Sequence, residues 1–148
     1  MKQMMTLLAL ACLFFISCDK SEKTEYNMLK DREWSIDYLF CLDETTESYS
    51  LKFKTQEIAW GNFVHFSQNG TFKSYYKSDC GNDCFRTING RYRQVSEKEI
   101  SVSVNSVRYS GWCTPSPHDS TWIEVRNGKP IYFTISKIDH ENMLLSKK

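Results

Sequence analysis

Glycine and proline are scarce, at six and three of 148 residues, which excludes a collagen-like or low-complexity chain. Net charge is nearly absent: 19 Lys and Arg face 18 Asp and Glu, a formal +1. No broad cationic face can hold a polyanion, so nucleic acid is not an expected partner. Catalytic signatures are missing too. The sequence contains no Gly-rich phosphate loop, no His-Glu-x-x-His, no Gly-x-Ser-x-Gly and no carboxylate pair with distinguishable acid and base surroundings. The reading is of a non-enzyme with no catalytic residue, no metal and no cofactor. Of the three histidines, His65 shares a strand face with Phe63 and Tyr75, where a satisfied or exposed ring is expected. His118 and His140 fall in loops near Asp119, and loop polarity accounts for them.

What is present is a chain of 41% apolar and 14% aromatic residues, enough for one folded domain. The apolar run Met4–Ile16 follows Lys2 and contains Thr6 as its only clearly polar member. At 1.5 Å rise, thirteen residues make about 20 Å of helix, short of the roughly 30 Å of a bilayer core, so the run reads as a secretory signal and not a permanent span. Phe15-Ile-Ser-Cys18 resembles a bacterial lipobox. That resemblance implies cleavage before Cys18, a diacylglyceryl thioether on its sulfur and acylation of the freed amine, with palmitate-type chains holding the protein to a membrane. Residues 1–17 are then signal peptide, and residues 18–27, which include Asp-Lys-Ser-Glu-Lys-Thr-Glu25, form a polar tether with nothing to bury. The expected location is the cell envelope, with the outer membrane, on its periplasmic or surface face, as the anchored site.

Lipidation of Cys18 leaves Cys41, Cys80, Cys84 and Cys113 in the exported chain. An even number in an oxidising compartment suggests two disulfides. Cys80-Gly-Asn-Asp-Cys84 can close a small ring, which leaves Cys41 with Cys113. Three intervening residues and no nearby histidine argue against a redox or zinc pair.

From Trp34 onward the apolar residues alternate. Trp34, Ile36, Tyr38 and Phe40 share one face, and Ile100, Val102 and Val104 alternate with polar residues, the pattern of half-buried strands. Further strands are expected over 63–67, 71–77, 86–95, 122–126, 131–137 and 143–147, eight in all. At Asn69-Gly70, a three-residue loop with a left-handed Gly70 sets Phe66 opposite Phe72 and keeps Val64, Phe66, Phe72 and Tyr76 on one face. An up-and-down order puts the tight turns at 68–70, 96–99 and 127–130 at one end, and the long loops with Cys41, Cys80, Cys84 and Cys113 at the other. The fold class is all-β: a small antiparallel barrel of about eight strands whose interior is either packed solid or holds one ligand.

Leu29-Lys-Asp-Arg-Glu-Trp34, the hairpin Val64–Phe72, Gly90-Arg-Tyr92 and the terminal hairpin Ile131–Leu145 resemble the lipocalin-like lipoproteins of Bacteroidetes-type bacteria, over a domain spanning 28–148. Tyr38, Phe66, Tyr76, Tyr92, Val102 and Phe133 are expected to face inward and to line any cavity for a small apolar ligand. The alternative is an envelope protein-interaction module, an inhibitor or accessory subunit presenting Trp112, Trp122 and the disulfide-bonded loops. The segment 42–62 is too long for a plain connection. Tyr49, Leu51 and Phe53 alternate there, as a lid or, by preference, an additional edge strand that is short or lies across the mouth, since a full crossing would move Cys41 to the other end. Asp119-Ser-Thr121 resembles the three-residue O-glycosylation signal of the same bacteria. A Cys18→Ala variant is expected to lose acyl labelling and to leave the membrane fraction, read by metabolic labelling with a fatty-acid analogue.

Overall fold

The computed structural model describes residues 29–53, 60–79, 83–113 and 121–148. The signal segment, the tether, Cys18, Cys80, His118 and Asp119 with Ser120 lie outside the described residues. The described residues form nine strands and no helix: β1 (Arg32–Ile36), β2 (Ser48–Phe53), β3 (Gly61–Phe66), β4 (Thr71–Lys77), β5 (Cys84–Ser96), β6 (Glu99–Gly111), β7 (Thr121–Val125), β8 (Ile131–Lys137) and β9 (Asn142–Lys147). Every pairing between these strands is antiparallel. Around the wall the order is β5-β4-β3-β1-β2-β9-β8-β6, and β6 returns to β5, closing an eight-stranded barrel with β7 as one extra strand. The alternating residues Trp34, Ile36, Leu51, Val64, Phe66, Phe72, Ile88, Ile100, Val102, Phe133 and Leu145 meet inside as one core.

The β3–β4 hairpin has the expected register, with Phe66 opposite Phe72 and His65 opposite Lys73. Gly70 has φ +80° and donates to Ser67 O at 3.1 Å, while Ser67 N–H donates to Thr71 O at 2.8 Å, so the left-handed glycine closes a three-residue loop. Gly90 serves packing instead. A Cβ there would overlap Ser103 O and the Phe72 ring. The register of β5 on β6 shifts between Asn89 and Gly90, a bulge that bends the long hairpin around the core.

Two features depart from a simple meander. The alternating segment in 42–62 is a full wall strand, β2, and lies between β1 and β9. It does not move Cys41 to the other end: Phe53 ends β2 at the lower end, level with Trp34, yet Gly61 begins β3 at the upper end, level with Lys77. Residues 127–130 are also not a hairpin turn. Val125 pairs with Ser106 and Ile131 lies opposite Val102, so β7 and β8 descend the same flank of β6 one after the other. The terminal hairpin is therefore inverted relative to expectation, its turn at 138–141 sitting at the lower end beside Phe53, whose N–H donates to Glu141 O at 2.6 Å. Gly90→Ala is expected to cost roughly 1–3 kcal/mol through overpacking against Phe72, measured as a lower denaturant midpoint at unchanged m-value.

Candidate functional site

The upper end of the barrel is closed from within by the β1–β2 connection. β1 stops at Ile36 because Asp37 takes the backbone out of the pleat: its carboxylate accepts the Tyr38 N–H at 3.0 Å and the Ser50 N–H at 3.2 Å, and its carbonyl accepts from Asn62 Nδ2 at 3.0 Å. The period-two alternation ends there. Tyr38, expected inside, is 63% exposed, and Phe40 returns from the loop into the barrel with no exposed surface. Its ring sits 5.0 Å from Tyr49, 5.3 Å from Phe72 and Phe133 and 5.7 Å from Phe66, most of these contacts edge-on as aromatic quadrupoles favour.

Burying a loop requires partners for its amides and carbonyls. The Phe40 N–H donates to Ser74 Oγ at 2.9 Å, and that hydroxyl donates onward to Phe63 O at 2.9 Å. Ser74 is the one fully buried polar residue of the barrel wall among the described residues. The Cys41 N–H donates to Tyr49 Oη at 3.0 Å. Arg126 Nη1 donates to Leu42 O at 2.8 Å, and Lys147 Nζ donates to Glu44 O at 2.7 Å. The plug is thus held by side chains of β4, β2 and β9 and by the residue after β7. Cys41 takes a left-handed φ of +58° to make this turn. Burial pushes its thiol up to about 12, against a smaller opposing pull from Lys147. Burial likewise raises the Tyr49 hydroxyl to about 12, so both groups stay protonated and neutral near neutrality.

The side chains expected to line a cavity are distributed differently. Phe66, Tyr92, Val102 and Phe133 are buried members of the plugged core, Phe66 and Tyr92 with their rings 5.0 Å apart; the Tyr92 hydroxyl donates to Ser67 O at 2.9 Å. Tyr76 faces inward near the upper end, half-buried, with its ring 6.4 Å from Phe85. At the edge of the plug, a narrow space between Cys41, Asp43, Tyr49, Phe133 and Lys147 amounts to about 10 Å³, room for one water at most. Alternation places Phe40 on the face of Trp34 and Ile36 but as part of one continuous strand; it gives no sign that the pleat ends at Ile36 and that Phe40 reaches the interior from a loop.

A larger space opens where β6 passes from β8 to β7. This lateral cleft holds about 310 Å³ between the plug loop (Cys41, Asp43, Glu44), Val104, the 126–130 connection, Ile131 and Lys147. That is the lower limit of ordinary ligand pockets. Its lining carries both signs of charge, and Arg126 is already committed to Glu124 Oε1 at 2.7 Å as well as to Leu42. This hydrogen bond holds the Glu124 carboxyl below the usual carboxylate range.

β7 borders the same region and supplies a feature the sequence did not signal. The Arg126 N–H donates to Asn105 O at 2.8 Å, so by antiparallel parity the backbones of Trp122 and Glu124 face β6 while those of Ile123 and Val125 face away. No strand among the described residues pairs with that outer edge. Ile123 and Val125 are exposed, the latter at 73%; Trp122, itself partly exposed, stacks on Tyr109 at 4.8 Å, and Trp112 at the end of β6 is 78% exposed.

The thiols of Cys41, Cys84 and Cys113 are free. Cys41 lies in the core, while Cys113 sits over the start of β5, its Sγ 3.4 Å from Phe85 O. His140 is exposed in the 138–141 turn, and no group of three or more His, Cys, Asp or Glu suited to a metal ion occurs among the described residues. No protein-family model, no curated protein and no solved structure matches this chain.

Phe40→Ala is expected to cost roughly 3–5 kcal/mol and to leave a dry cavity in the barrel. Thermal unfolding with and without an apolar dye checks both: the parent binds no dye inside, whereas the variant does and gains thermal stability from it.

Proposed function

We propose that the protein is a lipid-anchored component of the cell envelope that engages another protein by strand addition at β7, as an inhibitor or accessory subunit does. The observation that carries this reading is the combination of a plugged interior with a strand edge that, among the described residues, no strand pairs. A closed barrel abolishes edges, and every strand of the eight has two neighbours. β7 reintroduces an edge, and its sequence Thr-Trp-Ile-Glu-Val has none of the lysines, prolines or bulges that ordinarily blunt one. An extended segment of a partner would satisfy the outward N–H and C=O groups of Ile123 and Val125 and cover apolar side chains that water now meets. Lipidation at Cys18, followed by a polar tether, supports an anchored module able to reach such a partner.

A second reading rests on the lateral cleft: a small molecule seated beside the plug between Val104, Ile131 and Lys147. The cleft reading keeps the lipocalin-like resemblance but moves the ligand out of the barrel centre. Native mass spectrometry after exposure to an envelope extract separates the two. A protein adduct is expected with the parent chain and is expected to vanish in an Ile123→Lys/Val125→Lys variant that retains its fold. A small-molecule adduct that survives this double substitution would replace the first reading with the second.

A further inference from the structure

β6 ends in a turn that returns the chain toward β5. Cys84, the first residue of β5, is the register partner of Gly111, the last of β6. Gly111 has φ +72°, and a Cβ there would run into Asp83 O. That close approach, with Trp112 N–H donating to Asp83 O at 3.4 Å, requires a glycine and curls residues 112–113 back over the hairpin end. Cys113 Sγ consequently lies 3.1 Å from Ser110 O and 3.4 Å from Phe85 O, and its thiol is in hydrogen-bond contact with that of Cys84. Cys41, by contrast, points into the barrel core, its amide bound to Tyr49.

We propose that Cys84 and Cys113 are each other's disulfide partners, a bond that staples the upper end of the β5–β6 hairpin and leaves Cys41 as a permanently reduced core residue. The bond forms by thiol–disulfide exchange with an oxidised dithiol carrier or a small disulfide: the Cys84 or Cys113 thiolate attacks the donor's S–S bond, the second thiolate displaces the donor from the mixed disulfide, and the donor leaves as two thiols carrying the two electrons and two protons. Arg86, whose charge favours the Cys113 thiolate, stands on β5 two residues after Cys84. Burial and the Cys84 contact nevertheless raise the Cys113 thiol overall, which suits a structural bond and not an exchange-active one. The staple would fix Trp112, the most exposed tryptophan of the upper end, in one orientation beside β7. The proposal supposes the oxidising compartment of the envelope reading, but the pairing is a property of the fold and is tested separately from it.

The full chain is reduced, reoxidised in glutathione buffer, alkylated, and digested without reduction for peptide mapping. The expected product joins the Cys84 and Cys113 peptides, persists in a Cys80→Ser variant, and lowers the thermal midpoint by roughly 10 °C when reduced. Cys41 is alkylated only after unfolding. Gly111→Ala is expected to reduce the yield of the crosslink several-fold. Cys84 joined to Cys80, Cys113 joined to Cys41, or loss of the crosslink in Cys80→Ser overturns the pairing. Mapping the chain taken from an exporting bacterial host tests the compartment instead: free thiols there, with the expected crosslink in glutathione, would refute the envelope reading and leave the pairing intact.

Discussion

Phe40 in the centre of the barrel is the constraint on which the rest of the structure depends. An eight-stranded barrel of this size must be filled by side chains or by a guest, and here a residue outside the wall strands does the filling. Because that residue comes from a loop, its neighbours must come with it, and each buried polar atom of the loop backbone then demands a partner. Ser74 and Tyr49 satisfy two consecutive amides, and Arg126 and Lys147 take two carbonyls. These four side chains explain details that otherwise look unrelated: a serine in a strand of aromatic neighbours, a left-handed cysteine, and two cations aimed at main-chain oxygen.

Closing the interior moves any recognition to the periphery. The wall is interrupted at one place, between the end of β7 and the start of β8, and the cleft, the strand edge that no described strand pairs and the partly exposed Trp122 lie on that side. Arg126 stands at the junction, joined at once to the plug through Leu42 and to β7 through Glu124. A displacement of the plug would disturb this pair, so the core and the open edge are mechanically connected.

Much of the wall is readable in the sequence because strand faces follow a period of two. The parity of Val64, Phe66, Phe72 and Tyr76 together with Asn69-Gly70 sets both the turn and the pairing of β3 with β4. Alternation also marks Tyr49, Leu51 and Phe53 as a strand, but its insertion between β1 and β9 is a choice among distant partners that no local pattern encodes. Gly128-Lys-Pro130 carries the composition of a turn, yet turn residues specify a bend and not a reversal, and the chain continues downward into β8. Of the side chains expected to line the interior, Phe66, Tyr92, Val102 and Phe133 follow their strands inward. Tyr38 does not, because Asp37 ends the pleat one residue earlier by capturing the backbone on both sides of it.

The chain order has a kinetic consequence. β3, β4, β5 and β6 each pair antiparallel with the next strand in sequence, so this curved meander can form from local contacts. The other wall cannot: β2 meets β9 through pairs such as Ser48 with Ser146, a closure spanning most of the domain, and β1 is fenced between two strands, β2 and β3, that both run antiparallel to it. Long-range closure of this kind is slow. Until it occurs, the half-built sheet bares two strand edges at once, the condition in which partly folded chains join their own kind.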